Sequence, residues 1–190
     1  MKRIVLNKSR ELHPSIEHLR LEHYPGKWED GQTGDEFDAA SWHLTAWIEG
    51  VLVGAMRLTP QPPSFYAGHI EDHTGLLFGP HVIEANRAVI STNWRGLGLY
   101  KLLMAEATLV ANELGYSAVA GVVTRDFPLL GFLEQIGYER VSDVHGTTPS
   151  GVVQGYYLVQ DPGISMTAAV AVQSEVAANI AAKGLLIERG

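Results

Sequence analysis

The chain has 190 residues, of which 46% are hydrophobic and 18% are charged, and its formal net charge is −7. This length is enough for one well-buried core and short for two, so we expect one main domain. The acidic balance lacks the basic excess that a nucleic-acid-binding surface needs. The absence of cysteine excludes disulfides, thiolate metal sites and a cysteine nucleophile.

Near the N-terminus, the apolar run Ile4-Val5-Leu6 is too short for a signal-peptide core or a membrane span. We therefore expect a cytoplasmic protein with no membrane span.

Hydrophobic periodicity and turn signals predict the order β-α-β-β-β-α-β-α-β-β along most of the chain. Strands are predicted at residues 2–6, 42–49, 51–59, 82–91, 118–124, 138–144 and 152–159, and helices at 9–23, 99–114 and 127–136. Glu49-Gly50 predicts a hairpin turn between the second and third strands. The segments between residues 24 and 41 and between 60 and 81 are rich in polar residues, glycine or proline, and we expect loops there.

An Ala-rich helix is predicted beyond this unit, at residues 164–183, with Val172, Val176 and Ile180 on one stripe. We expect residues 1–160 to form the main domain and residues 161–190 a helical extension. Its stripe packs either on that domain or on a second copy of the chain in a homodimer.

The sequence Arg95-Gly96-Leu97-Gly98 stands where a strand gives way to a helix. Backbone N–H groups converge at such a helix start and attract anions, and glycine lets the backbone approach a phosphate closely. The spacing fits neither the nucleotide phosphate loop nor the dinucleotide fingerprint. Two interpretations remain, a phosphate-binding turn and a plain tight turn with an exposed arginine.

This turn resembles the Arg/Gln-x-x-Gly-x-Gly/Ala pyrophosphate loop of the GNAT acyltransferase superfamily, with Tyr100 departing from its last position. The order of elements up to Val159 is also similar, as is the segment from Gly131 to Tyr138, where Leu133 replaces a tyrosine that protonates the departing thiolate in many members. The resemblance implies a three-layer α/β fold whose mixed, mostly antiparallel sheet splays at the fourth strand. It implies a donor, acyl-CoA or acyl-phosphopantetheine, contacted by Val89, Arg95, Gly96, Leu97, Gly98, Leu99 and Tyr100.

Further segments resemble, in family order, the acyl-homoserine-lactone (autoinducer) synthases and the related N-acyl amino acid synthases. They are Arg20, Trp28, Asp35-Glu36-Phe37-Asp38, the strand Gly54-Ala55-Met56-Arg57-Leu58, and Glu84-Ala85-Asn86-Arg87. Thr33 replaces the first glutamate of the acidic motif. This departure argues against S-adenosylmethionine as the acyl acceptor. The resemblance implies a medium or long acyl chain. It implies substrate-binding roles for Arg20, Trp28, Asp35, Asp38 and Arg57, and catalytic roles for Glu84 and Arg87.

Glu84 interrupts an apolar strand immediately before the glycine-rich turn. A buried carboxylate with a raised pKa can accept the proton of an attacking amine, directly or through water, and a structural ion pair with an arginine is the alternative. Strict alternation would place Glu84 and Arg87 on opposite faces, so a shared site requires a bulge. The family resemblance implies such a bulge in the fourth strand.

The remaining polar candidates each leave alternatives open. Arg57 faces either the cleft or solvent, while Asp35 and Asp38 hold Arg20, bind an acceptor's ammonium group or form a solvated acidic loop. His69 and His73 have the spacing of a helical metal pair but lack an evident third ligand, so we expect no metal.

The sequence thus predicts an N-acyltransferase that moves an acyl group from acyl-CoA or an acyl carrier protein to a small-molecule amine. The alternatives are an ordinary acetyl-CoA N-acetyltransferase and a non-catalytic domain that binds acyl thioesters and regulates a partner.

Overall fold

The computed structural model describes residues 2–23, 37–60, 80–148 and 151–190. Eight strands run along the described chain: β1 Lys2–Ser9, β2 Trp42–Ile48, β3 Val51–Pro60, β4 Val82–Ile90, β5 Ala118–Thr124, β6 Glu139–Thr148, β7 Gly151–Gln160 and β8 Leu185–Arg189. Four α-helices accompany them: α1 Pro14–His23, α2 Leu99–Glu113, α3 Leu130–Gln135 and α4 Pro162–Ala181. Short 3-10 turns occupy Asp38–Ala40 and Thr92–Trp94.

All eight strands belong to one open sheet in the order β6-β7-β5-β4-β3-β2-β1-β8. The β4–β5 and β1–β8 pairs are parallel, and the other five pairs are antiparallel. β4 and β5 pair only from Val82↔Ala118 to Glu84↔Ala120, although both strands continue. The predicted mixed sheet that splays beside the fourth strand is therefore confirmed.

A bulge in β4 accompanies this splay. Ala55 pairs with Val89 and Arg57 pairs with Asn86, so Met56 alone on β3 spans two residues of β4. One of the two is Arg87, whose φ of 50° is unusual for a residue with a side chain. β4 therefore has the bulge that the family resemblance implies, but the bulge begins at Arg87 and not between Glu84 and Arg87, so the shared site of these two residues stays a prediction.

The helices cover both faces of the sheet and complete the three layers. On one face, Ile16 and Leu19 of α1 pack with Ala55. Met56, the next residue of β3, packs with α2 on the opposite face, because successive strand residues point to opposite sides. Residues of α3 join the same cluster as α2, and α4 packs along α2 with Val176 and Ile180 buried.

Several boundaries differ from the sequence prediction. The first helix starts at Pro14 rather than residue 9, because proline fits the first turn, where its missing N–H is not needed. The third helix is shorter, Leu130–Gln135 instead of 127–136. The hairpin at Glu49-Gly50 is confirmed, and both residues have positive φ, 50° and 79°.

The C-terminal segment contains the predicted helix and a strand that the sequence prediction missed. Helix α4 is capped by Asp161, whose Oδ1 accepts hydrogen bonds from the backbone N–H groups of Gly163 and Ile164 at 2.8 and 3.1 Å. β8 then pairs with β1 and adds an eighth strand to the sheet. The division into residues 1–160 and an extension of 161–190 stays a prediction.

Within the described ranges, no helix combines the length and the apolar character that crossing a membrane requires.

Two valines of α4 test whether this helix is an integral part of the core. Val176 is 2% exposed and Val170 is 49% exposed. We expect Val176→Ala to lower the free energy of unfolding by about 2 kcal/mol, through lost burial and a residual cavity. The matched Val170→Ala should change it by less than about 0.5 kcal/mol. Urea denaturation measures both, and equal effects would show that α4 does not pack as described.

Candidate active site

A groove of about 960 Å³ lies at the start of α2. The glycine-rich turn forms its floor: Gly96 and Gly98 have φ of 77° and 81°, which residues with a Cβ rarely adopt. Gly98 is the N-cap of α2, and the first backbone N–H groups of a helix have no partner within it. The groove therefore combines convergent backbone donors with the positive end of a helix dipole, an arrangement that suits an anion.

Six of the seven predicted donor-contacting residues line this groove: Arg95, Gly96, Leu97, Gly98, Leu99 and Tyr100. The seventh, Val89, is placed differently. Its side chain packs with Ile16 and Leu19 under α1, while its neighbours Ala88 and Ile90 line the groove. Any contact between Val89 and a donor would therefore be made by its backbone.

Helix α4 forms the opposite wall of the groove, which sequence reasoning missed. Val176 and Asn179 of α4 line it, together with Lys183 in the turn that follows the helix. The Lys183 Nζ donates a hydrogen bond to the Gly96 carbonyl oxygen at 3.3 Å. A Cβ on Gly98 would stand 3.2 Å from Cγ1 of Val176, so the absence of a side chain also allows α4 to approach the turn. The spacing of the α4 stripe indicated burial but not which element it covers.

A second cavity, of about 350 Å³, opens where β4 leaves β5. Its walls are mostly apolar and include Met56, Met104 and Leu158. Ala88, Tyr100 and Phe127 line both this cavity and the groove, so the two spaces adjoin one another. Both bulge residues, Arg87 and Ala88, line the second cavity.

Leu133, which the sequence resemblance aligns with a tyrosine of many superfamily members, is 2% exposed. Tyr138, close by in the chain, does not replace that tyrosine. Its hydroxyl is buried with no hydrogen-bond partner among the described residues, and burial raises its pKa well above the usual range. A hydroxyl in that environment is a poor proton donor.

A buried cluster of charges lies on the α1 side of the sheet. Arg20 of α1 donates from Nη1 to both carboxylate oxygens of Asp38, at 3.1 and 3.2 Å. The Arg57 Nη1 lies 3.2 Å from Oδ1 of the same carboxylate. All three side chains are at most 5% exposed. Asp38 therefore joins two arginines, and Arg57 points into the protein rather than into solvent.

Asn86 connects this cluster to Glu84. The Arg57 Nε donates to Oδ1 of Asn86 at 2.8 Å. Nδ2 of Asn86 then donates to Oε1 of Glu84 and to Oγ1 of Thr59, both at 3.1 Å. Asn86 also lines the cavity between β4 and β5. Sequence reasoning did not select Asn86, although a polar residue two positions after Glu84 in a strand must share its face.

His43, which sequence reasoning also missed, is held at the same cluster. Its Nε2 lies 3.2 Å from the carbonyl oxygen of Asp38. Burial lowers the pKa of His43, which favours the neutral ring with Nε2 as donor.

The environment of Glu84 gives it a pKa suited to proton transfer near neutral pH. Burial raises the pKa of Glu84, while the Asn86 hydrogen bond and the charge of Arg57 lower it. The effect of burial is the larger, and the pKa is about 7. Oε2 has no hydrogen-bond partner among the described residues. An oxygen of this kind can accept a proton without first breaking a hydrogen bond.

The structure therefore places Arg20, Asp38, Arg57 and Glu84 in one buried network, and Arg87 at the adjoining bulge. Trp28 and Asp35 lie outside the described residues, as do His69 and His73. Among residues 2–23, 37–60, 80–148 and 151–190, no three histidine or carboxylate side chains are grouped as metal ligands would be.

The raised pKa of Glu84 predicts a pH dependence of stability. The folded protein binds the Glu84 proton more tightly than the unfolded chain does, so Glu84 costs stability as pH rises from about 4.5 to about 7. Glu84→Gln removes this pH-dependent loss of stability, because the amide does not ionise. Its free energy of unfolding should therefore improve relative to wild type by on the order of 3 kcal/mol between pH 5 and pH 8. Urea titrations at both pH values measure it, and a constant difference would contradict the raised pKa.

Comparison with known proteins agrees with this architecture. Residues 13–138 match the model of the acetyltransferase (GNAT) family. Among solved structures, the CoA-dependent acyl-homoserine lactone synthase BjaI, in complex with SAM and isopentyl-CoA, is similar at a TM-score of 0.67 and 15% identity over 98% of this chain and 93% of that one. The AHL synthase LasI is similar at 0.62 and 14%, over 85% and 90% of the two chains.

An acyl-CoA N-acyltransferase from Pseudomonas aeruginosa is similar at a TM-score of 0.60 and 19% identity, over 83% of this chain and 99% of that chain. A search of curated protein sequences gives no significant match. At these identities the solved structures show the shared fold, while the family model covers well over half of the chain. The chain belongs to the acetyltransferase (GNAT) family and is an acyltransferase.

Proposed function

We propose that this protein transfers an acyl group from a pantetheine thioester to the amine of a small molecule. The observation that carries the proposal is the junction of two unlike spaces. A groove with backbone donors and cations at the start of α2 adjoins an apolar cavity between β4 and β5. An acyl thioester has matching parts, because a phosphate-bearing arm and an apolar chain meet at the reactive carbonyl.

In this arrangement the pyrophosphate or phosphate of the donor binds at the turn from Arg95 to Gly98. The pantetheine arm runs past Ala88 and Tyr100, which line both spaces, and the acyl chain enters the apolar cavity. A cavity whose lining is mostly apolar favours a chain longer than acetyl, since burying each methylene contributes about 0.8 kcal/mol. The isopentyl-CoA bound by the structurally similar BjaI supports a CoA thioester as the donor.

Glu84 is the proposed base. The neutral amine attacks the thioester carbonyl, and the proton released from its nitrogen passes to Glu84, directly or through a water. The C–S bond then breaks, and the thiolate takes its proton from water, because Leu133 supplies none and the Tyr138 hydroxyl is buried. A pKa near 7 allows Glu84 to accept the proton and to return it to solvent.

The buried arginines act as positioning residues in this mechanism. Arg57 orients the Asn86 side chain, and Asn86 fixes one oxygen of Glu84 by its hydrogen bond. Asp38 in turn holds Arg57 and Arg20, so its charge is balanced within the cluster. Asp38 should therefore attract an acceptor's ammonium group less strongly than the sequence pattern indicates. The identity of the acceptor amine stays open.

Two glycines with the same backbone strain test the phosphate role of the turn. Gly96 and Gly115 have φ of 77° and 80°, and a Cβ on either would meet open space. Alanine at each should cost roughly 1–2 kcal/mol of stability through the left-handed conformation. Only Gly96→Ala should weaken CoA binding, measured by calorimetry, because only that Cβ obstructs a phosphate. Equal CoA affinity in both variants would show that the turn does not bind the donor.

Glu84→Gln tests the base. The amide keeps the shape of the side chain but accepts no proton, so the acylation rate should fall by roughly two to four powers of ten while thioester affinity changes little. Higher pH should partly restore the rate by deprotonating the amine in solution. The control is Glu139→Gln, an exposed carboxylate at the start of β6. Full activity in a folded Glu84→Gln protein would make Glu84 a structural residue.

The donor class can be identified directly. Incubating the protein with a mixture of acyl-CoAs, acyl carrier proteins and candidate amines, and following every thioester by mass spectrometry, shows which donor is consumed. Consumption of a medium or long acyl thioester with formation of an amide supports the proposal. Consumption of acetyl-CoA alone would indicate an ordinary N-acetyltransferase.

A further inference from the structure

Lys183 lies at the end of α4, in a position that the fold fixes from two sides. Its backbone N–H bonds to the Ile180 carbonyl at 3.0 Å, and that of Gly184 bonds to the Ala181 carbonyl at 2.9 Å. Gly184, with φ of 76°, then turns the chain into β8, which is paired with β1. The lysine therefore projects from a rigid helix end, and its ammonium group reaches the Gly96 carbonyl at 3.3 Å.

The groove beneath Lys183 is basic although the chain as a whole carries a net charge of −7. Among the residues that the structure describes, Arg95, Lys101 and Lys183 line it with one carboxylate, that of Glu175. Arg95 and Lys183 are exposed at its rim. Each comes from a different element, so only the packing of α4 against α2 gathers these charges at one place.

The number of positive charges distinguishes between two kinds of donor. A phosphopantetheine arm on a carrier protein presents one phosphodiester, which the backbone N–H groups and helix dipole at the turn can already accommodate. CoA presents a pyrophosphate and, in addition, a 3′-phosphate on its ribose. Cations beyond the turn are therefore matched to the extra phosphate of CoA.

We propose that Lys183, together with Arg95, binds the 3′-phosphate of a CoA donor, so that the C-terminal helix selects CoA thioesters over carrier-bound thioesters. This rests on the proposed donor role of the groove. On donor binding, the Lys183 ammonium group exchanges the Gly96 carbonyl oxygen for a phosphate that carries about two negative charges, a stronger acceptor. No covalent step is involved.

Calorimetry with CoA, 3′-dephospho-CoA and pantetheine tests the proposal on the full chain. Wild type should bind CoA about 10-fold or more tightly than dephospho-CoA, the factor expected of one charge-assisted hydrogen bond. Lys183→Ala should lose this preference by weakening CoA binding alone, and Lys183→Arg should keep most of it. The control is Lys8→Ala, because Lys8 is paired with Glu113 at 2.8 Å outside the groove.

Each result has one interpretation. Equal affinity of wild type for CoA and dephospho-CoA, or equal weakening of both ligands in Lys183→Ala, would overturn the 3′-phosphate assignment while leaving the donor groove in place. Equal affinity for CoA and pantetheine would instead refute the donor role of the groove itself. If acyl carrier protein binds more tightly than acyl-CoA and Lys183→Ala weakens that binding, the basic rim docks a carrier protein and the selectivity proposal is wrong. Circular dichroism of each variant confirms folding.

Discussion

The pairing of β4 with β5 ends early, and this separation creates the cavity and sets the environment of the buried carboxylate Glu84. Two parallel strands would normally continue to bond, yet these two pair over three residues and separate after Glu84. β4 follows β3 instead and absorbs an extra residue at the bulge of Arg87 and Ala88. A bulge bends its strand and increases the local twist, so it carries β4 away from β5. The space left between them is the apolar cavity.

The same separation explains the environment of Glu84. Glu84 is the last residue of β4 that pairs with β5, so it stands where the sheet is still closed, and its side chain has little access to solvent. Burial disfavours the charged form of a carboxylate, which is why the pKa of Glu84 rises to about 7. The neighbouring Arg20–Asp38–Arg57 group can stay charged although it is buried, since each of its charges has a partner at about 3 Å. Removing one partner there would leave a buried charge uncompensated, which is commonly worth several kcal/mol.

Helix α4 both completes the core beside α2 and forms part of the groove, and the first role makes the second possible. Its apolar stripe packs on α2, and this brings the polar end of the same helix over the glycine-rich turn. Gly98 allows the close approach because it has no Cβ to meet Val176. Packing of the C-terminal segment and completion of the groove are therefore one structural event. The added strand β8 holds the end of α4 against the sheet.

The sequence alone predicts the order of elements as far as β7, the α4 helix, the hairpin at Glu49-Gly50 and the glycine-rich turn, because these follow from local periodicity and turn chemistry. It also singled out Glu84, since a carboxylate within an apolar strand is visible without a structure. It did not reveal β8, whose short run with charged residues at its end has no periodicity to distinguish it from a tail.

The contacts between residues far apart in the chain become visible only in the folded structure. Asp38 could have been solvated, but it joins Arg20 and Arg57 because α1 packs over β3. Lys183 and Gly96 are 87 positions apart and contact each other only because α4 lies along α2. Local sequence patterns report which face of an element is apolar. They do not report which partner that face will find, since that choice depends on the packing of the whole chain.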